Sequence, residues 1–373
     1  MNSRNIVFII LLSFLSVACK KEDEVTLSGL NIRNFQTEVN GQLTNLFVLK
    51  NENGMEACVT NYGARLVSLM VPDRNGKPED VICGFSNIQY YLNDKQNFGA
   101  IIGRYSGGIH NATFTLDSIT HRLSPNSGLP GADGGDSGFA CRIWQGEQLE
   151  ENAVQMTLFS LDGEYGFPGN LGVTVIYRLT DQNELDVTYE ATTDKATVIN
   201  LSNQIYFDLS GDSDSTLEDQ TLYINADSYI PYDSLKCITG ELLPVFGTPF
   251  DFMSEKPISK RIDEDVMQLT VTNSYNHYWV LNTNGDQTKL AARLRDKKNG
   301  RELDVYTNEP GLRVYVANGL NGDMVKKGNT YQKRSAICLE VLHFPDSPNK
   351  PQFPSTVLRP EEVYRSHCIY RFR

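Results

Sequence analysis

The residue with the clearest potential for chemistry is a carboxylate near the C-terminus, Glu340. Residues 336–339 form an apolar run that predicts a buried strand, and Glu340 follows it directly. Prolines at 345, 348, 351 and 354 fix the backbone beyond it, so we expect the strand to lead into a rigid loop. A carboxylate at that junction lies where a binding cleft would hold a reactive group. The alternative is an edge glutamate that faces water, since most glutamates are exposed.

The N-terminus predicts export and lipid attachment. Residues 6–18 are largely apolar, Arg4 precedes them, and small residues lie immediately before Cys19. The run is too short to span a bilayer and is typical of a secretory signal. We therefore expect a lipoprotein signal peptide over 1–18, an acylated Cys19 and a tether over 19–30. This would anchor the protein to a bacterial membrane, on the periplasmic or the cell-surface side, and an ordinary cleaved signal is the alternative.

Composition narrows the class of protein. The formal net charge is −12 with the charges scattered, which argues against a nucleic-acid partner. No metal-ligand spacing occurs, so we expect no metal and no cofactor. None of the cysteines beyond Cys19 forms a C-x-x-C pair, which favours buried free thiols over disulfides; they are Cys58, Cys83, Cys141, Cys237, Cys338 and Cys368.

The segments that would position Glu340 are short and alternate between apolar and polar residues. They are broken at close intervals by Gly, Asn, Asp and Pro, and long stretches of helical period are absent. This pattern predicts an all-β protein of two large packed antiparallel sheets, in one domain over 31–373. The strand predictions are 46–49, 57–60, 66–71, 156–160, 173–177 and 185–189.

Several motifs resemble the aldose 1-epimerase (galactose mutarotase) family. The segment around Glu340 carries its signature, and further matches occur in order along nearly the whole chain; they include Phe344-Pro-Asp-Ser-Pro-Asn349, Asn61-Tyr-Gly-Ala64, Gly103-Arg104 and Gly247-Thr-Pro-Phe-Asp-Phe252. The resemblance implies a β-supersandwich with a sugar cleft across one concave face. It also implies an isomerase of hexose metabolism that interconverts the α and β anomers of an aldose.

Such a reaction needs two positioned proton transfers. A base takes the proton from the C1 hydroxyl while an acid protonates the ring oxygen, the ring opens, and closure on the other face reverses both transfers. The resemblance assigns the base to Glu340. It puts Gln204 where the family has its acid, a histidine, and a carboxamide cannot deliver a proton. His277 aligns near the cleft and has the titration range to substitute for that acid, although a structural histidine is the alternative.

The positions that hold sugar hydroxyls in the family also differ. Asp133 stands for a second histidine, Asn276 for an aspartate and Arg313 for a glutamine, while Gly107 and Gly108 replace an Asn-Arg pair. Asp133 is alternatively a turn former, because it lies in a glycine-rich loop. The glycines open space and arginine grips carboxylates, so the altered set suits a larger or acidic saccharide.

Two hypotheses therefore remain open. The first is a lipid-anchored epimerase whose turnover is weakened by the loss of the acid and of most sugar ligands. The second is a non-catalytic carbohydrate-binding lipoprotein on the same scaffold. Both predict a small sugar or a saccharide as the partner, together with the membrane that holds the anchor.

Overall fold

The computed structural model describes residues 25–124, 138–211, 217–322, 325–326 and 328–373. The predicted signal peptide, Cys19, most of the tether and Asp133 lie outside these residues. Within them, alternating β-branched and aromatic residues form short strands. In chain order these are β1 (Glu38–Val39), β2 (Gln42–Leu43), β3 (Leu46–Lys50), β4 (Glu56–Thr60), β5 (Arg65–Pro72), β6 (Pro78–Asp80), β7 (Ile101–Ile102), β8 (Thr113–Leu116), β9 (Ile119–Arg122), β10 (Gln145–Glu150), β11 (Ala153–Ser160), β12 (Leu171–Leu179), β13 (Glu184–Thr193), β14 (Thr197–Val198), β15 (Ser202–Asn203), β16 (Tyr206–Phe207), β17 (Gln220–Ile224), β18 (Ser228–Ile230), β19 (Leu243–Pro244), β20 (Lys256–Pro257), β21 (Asn276–Val280), β22 (Ala292–Asp296), β23 (Glu302–Thr307), β24 (Gly311–Val316), β25 (Val325–Lys326), β26 (Asn329–Thr330), β27 (Ile337–Leu342), β28 (Val357–Leu358) and β29 (Tyr364–Phe372).

Helices in the described residues are short, as expected from the absence of a helical period. The two α-helices are α1 (Ile88–Tyr91) and α2 (Met267–Thr272). Single 3₁₀ turns span Ile32–Phe35, His110–Ala112, Phe139–Cys141, Glu164–Gly166, Leu217–Asp219, Ile258–Arg261 and Ser347–Asn349. No described helix is long and apolar enough to cross a membrane.

Two large antiparallel sheets dominate the architecture. The first has nine strands in the order β10-β11-β12-β13-β29-β23-β22-β17-β20, and the second has six in the order β16-β27-β24-β21-β18-β19. A separate four-stranded sheet has the order β3-β4-β5-β6, and its strand β3 contacts β11 and β12 of the nine-stranded sheet. The all-β prediction is confirmed, and all six strand predictions fall within strands.

One apolar core joins these sheets. It takes Val173 and Val187 from the nine-stranded sheet, Val314 and Leu339 from the six-stranded sheet, and Leu66 from the four-stranded sheet. Because side chains alternate along a strand, the residues next to these point away from the core. The outer face of the six-stranded sheet is where Glu340 lies.

The prediction of free thiols is confirmed for the six cysteines of the described residues. Four of them are buried, as expected. Cys141 is exposed and Cys237 is half-buried, so the prediction of burial was wrong for these two. Both lie in connecting segments outside the strands, where the backbone runs along the surface.

Candidate active site

Glu340 belongs to the middle of β27 and does not follow the end of the strand, as the sequence had suggested. Its neighbours Leu339 and Val341 enter the central core, so its own side chain points to the outer face. Cys338 and Leu342 share that face and belong to two separate apolar clusters. The carboxylate lies between these clusters and has no exposed surface.

The carboxylate is compensated by an arginine on the adjacent strand. Arg313 of β24 is the direct partner of Glu340 in the ladder. Its Nη1 lies 3.2 Å from Oε1 and 3.4 Å from Oε2 of Glu340, and its Nε donates to Asn276 Oδ1 at 3.0 Å. The structure therefore brings together three residues selected from the sequence: Glu340, Arg313 and Asn276.

A hydroxyl pair supports the other side of the carboxylate. Ser202 Oγ donates to Glu340 Oε2 at 3.4 Å, and it lies 2.7 Å from Ser106 Oγ. Asn200 fixes the backbone next to these serines, because its side-chain amide donates to the carbonyls of Ser106 and His343. Sequence reasoning missed the two serines, although Ser202 lies only two positions from Gln204.

Gln204 lies two residues after Ser202 and supplies no titratable proton. Its Nε2 donates to the Tyr206 hydroxyl at 3.2 Å, and that hydroxyl donates to the Gln96 carbonyl at 2.9 Å. Tyr206 belongs to β16 and pairs with Cys338 of β27, two residues before Glu340. The Gln204 carboxamide therefore precedes β16, the strand that pairs with β27. A carboxamide there can donate a hydrogen bond to a ring oxygen but cannot act as an acid.

His277 does not join the site. It pairs with Val314, a core residue, so its ring occupies the core face of β21 while Asn276 occupies the outer face. The ring packs against Phe250, Tyr232 and other aromatic rings, and burial lowers its pKa to about 3. A histidine that stays neutral in the core cannot replace the missing acid, so that interpretation was wrong.

Gly107 and Gly108 lie against the loop that follows β27. Gly107 has a φ of +82°, and a Cβ there would lie 3.1 Å from Pro345 Cβ and 3.3 Å from the Tyr278 hydroxyl. The Gly108 carbonyl accepts a hydrogen bond from the amide of Asp346 in the loop after β27. The two glycines thus lie next to that loop, and neither has a side chain with which to contact a ligand.

A second ionisable pair lies just beyond β27 and was not selected from the sequence. His343 Nδ1 lies 2.6 Å from Oε2 of Glu309, which is almost fully buried. Burial opposes protonation of this histidine, but the pairing with Glu309 outweighs it and raises the His343 pKa. His343 lies in the segment around Glu340 that carries the family resemblance, which is the signal that could have selected it.

Glu340 can accept a proton, whereas Arg313, Asn276, Gln204 and the two serines do not titrate near neutral pH. To take a proton, Glu340 must give up part of its pairing with Arg313, whose guanidinium does not deprotonate in proteins. The described residues include no group of three or more His, Cys, Asp or Glu side chains that could hold a metal ion.

Comparisons with known proteins give consistent matches. A family model described as aldose 1-epimerase matches residues 45–371. The aldose 1-epimerase of Escherichia coli strain K12 is 38% identical over 334 residues, which cover 89% of this chain and 96% of that protein. The galactose mutarotase of Homo sapiens is 37% identical over 316 residues, or 84% of this chain and 90% of that protein.

Solved structures resemble this chain over similar lengths. A galactose 1-epimerase from Lactobacillus acidophilus NCFM superposes with a TM-score of 0.79 at 28% identity, covering 91% of this chain and 97% of that one. An aldose epimerase homologue from C. elegans also gives a TM-score of 0.79, at 27% identity, covering 88% of this chain and 99% of that one.

Proposed function

The chain belongs to the aldose 1-epimerase family, and from that premise we propose that it opens and recloses the ring of an aldose, with Glu340 as the base and with slow turnover. The observation that carries the proposal is the buried Glu340 carboxylate on the outer face of the six-stranded sheet, held by polar side chains. Carboxylates are rarely buried unless something compensates them, so this one is a strong candidate for function.

The first step follows from the contacts around Glu340. The sugar binds with its C1 hydroxyl against the carboxylate and displaces one contact of Arg313, whose Nη1 is shared between the two carboxylate oxygens. Glu340 takes the C1 proton as the bond between C1 and the ring oxygen breaks. The freed aldehyde carbon rotates about its bond to C2, and the reverse transfers close the other anomer.

The ring oxygen is the weak point of this reaction. Gln204 stabilises the negative charge that develops there only by a hydrogen bond, and the proton must come from water or from the Ser202 hydroxyl. A positioned general acid contributes about 10²–10⁴-fold to such a rate. We therefore expect turnover slower by a factor of that order than with an acid at position 204.

A second function, binding without turnover, is favoured by one specific observation. The Arg313–Glu340 pair is largely buried, so part of the compensation of that carboxylate is lost whenever Glu340 accepts a proton. A site that holds its acceptor in this way suits a protein that binds a saccharide through Arg313 and Asn276 and releases it unchanged.

Polarimetry separates these two functions. The decay of optical rotation is followed in freshly dissolved α-galactose and α-glucose with the wild type, with Glu340→Gln and with buffer alone. A rate above that of buffer, lost in Glu340→Gln, supports the epimerase. Saccharide binding in calorimetry, together with an optical-rotation decay no faster than that of buffer, supports the binding protein. Absence of both turnover and binding contradicts the proposal.

We also propose that the chain is exported and anchored through a lipid on Cys19. The basis is the apolar run before a cysteine that follows small residues. Cys19→Ser should move the protein from the membrane fraction to the soluble fraction of a bacterial host. A wild-type protein that is already soluble and cleaved elsewhere would favour an ordinary signal peptide.

A further inference from the structure

A groove of about 640 Å³ lies on the nine-stranded sheet. Val173 and Val175 of β12 enter the central core. Because side chains alternate along a strand, Gly172 and Thr174 face outward. Leu339 of β27 enters the same core from the other sheet. The groove and the Glu340 site therefore lie on opposite outer faces of the sandwich.

The floor of this outer groove is open because it is lined by a glycine. Gly172 lies between Phe159 and Thr192 in the ladder. A Cβ at Gly172 would find no atom closer than Thr192 Oγ1, at 3.8 Å. The ring of Phe159 stands beside this floor and is 59% exposed.

A row of polar side chains crosses the groove. One residue from each of five adjacent strands contributes to it, in the order Gln145, Thr157, Thr174, Glu190 and Arg365. Within the described part of the chain, the hydroxyl of Thr174 takes part in no hydrogen bond. It is available to a ligand.

Charges at the groove are balanced within the protein. Arg365 Nε lies 3.0 Å from Glu190 Oε1, and Arg142 pairs with Glu164. A groove whose charges are already paired gives little attraction to a polyanion or a polycation. It still offers donors and acceptors to a neutral ligand with many hydroxyls.

We propose that the outer groove is a second saccharide site, which binds a neutral oligosaccharide with one sugar ring against Phe159. An exposed aromatic ring provides apolar surface for the C–H face of a sugar, while the threonine, glutamine and ion-paired side chains bond its hydroxyls. The volume falls within the usual range for small-ligand sites. The site keeps a saccharide on the protein whether or not Glu340 turns it over.

The test is calorimetry on the full-length chain in detergent micelles with four neutral probes: maltohexaose, cellohexaose, xylohexaose and mannohexaose. We expect the wild type to bind at least one of them. Phe159→Ala should weaken that binding about tenfold, and Phe159→Tyr should retain it. Gly172→Val should also weaken oligosaccharide binding, because the valine side chain occupies the floor of the groove while the Phe159 ring is kept.

A control variant assigns the binding to this face. Tyr90→Ala removes another largely exposed aromatic ring, outside the groove, and should bind the oligosaccharide as the wild type does. Failure of all four neutral probes, binding of hexagalacturonate alone, or equal affinity in Phe159→Ala would overturn the proposal. So would dimerisation through this face, seen as a change in elution volume in Phe159→Ala.

Discussion

Glu340 has no exposed surface, and a buried carboxylate is tolerated only where charge and hydrogen bonds compensate it. Arg313 and Ser202 supply that compensation, while Gln204 contributes no titratable group. At the scale of single residues, the proposed function therefore rests on a carboxylate that can accept a proton, with a carboxamide at the position proposed for the acid. This imbalance can be tested by replacing individual side chains.

Gln204→His should accelerate anomerisation, because it puts a titratable proton donor just before β16, the strand that pairs with β27. We expect a gain of about 10²-fold, near the lower end of what a positioned acid contributes. The gain should decline as pH rises past about 6.5, where imidazole loses its proton. Polarimetry between pH 5 and 8 measures both effects.

Gln204→Asn is the matched control, since it keeps a carboxamide and adds no acid. It should not raise the rate above the wild-type value. Adding Glu340→Gln to Gln204→His should abolish the gain. An equal rate in Gln204→His and Gln204→Asn would show that the missing acid does not limit turnover.

Arg313→Gln should destabilise the fold, because it leaves the buried Glu340 carboxylate without its cation. Breaking one side of a buried ion pair costs about 3–5 kcal/mol. Arg313→Gln combined with Glu340→Gln should recover most of this loss, since no buried charge is then left unpaired. The free energy of unfolding of both single variants and the double variant, measured in urea, gives the coupling; additive single effects would mean that the pair contributes nothing.

At the scale of elements, the alternation of side chains decides which residues can share a site. Glu340, Arg313 and Asn276 were selected from separate motifs, and three adjacent strands bring them to one face. His277 follows Asn276 directly, so the same geometry sends it to the core. The motifs could not distinguish Asn276 from His277. Both faces of this strand are covered by protein, so a motif match does not tell which face a residue occupies.

His277→Phe tests the assignment of this residue to the core. The pKa of His277 is lowered to about 3, whereas an unfolded histidine titrates near 6.5, so the unfolded state binds the extra proton between these values. Stability from the neutral ring is complete above about pH 6.5 and is lost as pH falls toward 3. Phenylalanine should therefore stabilise the protein by about 2 kcal/mol more at pH 5 than at pH 8.

Thermal and urea unfolding at the two pH values check this expectation. Anomerisation should be unchanged in His277→Phe at pH 8, because the ring faces away from Glu340. A loss of turnover without a loss of stability would instead return His277 to the site. An equal change in stability at pH 5 and pH 8 would contradict the neutral buried ring.

At the scale of the whole molecule, the sequence predicted the class of fold well, because short strands with period-two alternation leave few alternatives to packed antiparallel sheets. It could not give the strand order. The C-terminal strand β29 lies between β13 and β23, and these pairings join segments far apart in the chain. Such contacts depend on the closure of the entire sandwich, which no local pattern records.

Asp208 connects the two large sheets and should make global stability depend on pH. It follows β16 of the six-stranded sheet, and its Oδ1 accepts a hydrogen bond at 2.9 Å from Gln220, the first residue of β17 in the nine-stranded sheet. Burial raises its pKa to about 7 from an ordinary value near 3.8, because little water remains to solvate the charge.

The folded state therefore holds a proton that the unfolded state has lost, and stability falls as pH rises from about 4 to about 7. Asp208→Asn keeps an acceptor for Gln220 and removes the titration. It should raise the free energy of unfolding by about 2–3 kcal/mol more at pH 8 than at pH 5. Glu218→Gln, a change at an exposed carboxylate nearby, should leave the pH profile of urea unfolding as it is. If Asp208→Asn changes stability equally at both pH values, the carboxyl is already ionised in the folded protein and the connection between the sheets tolerates a charge.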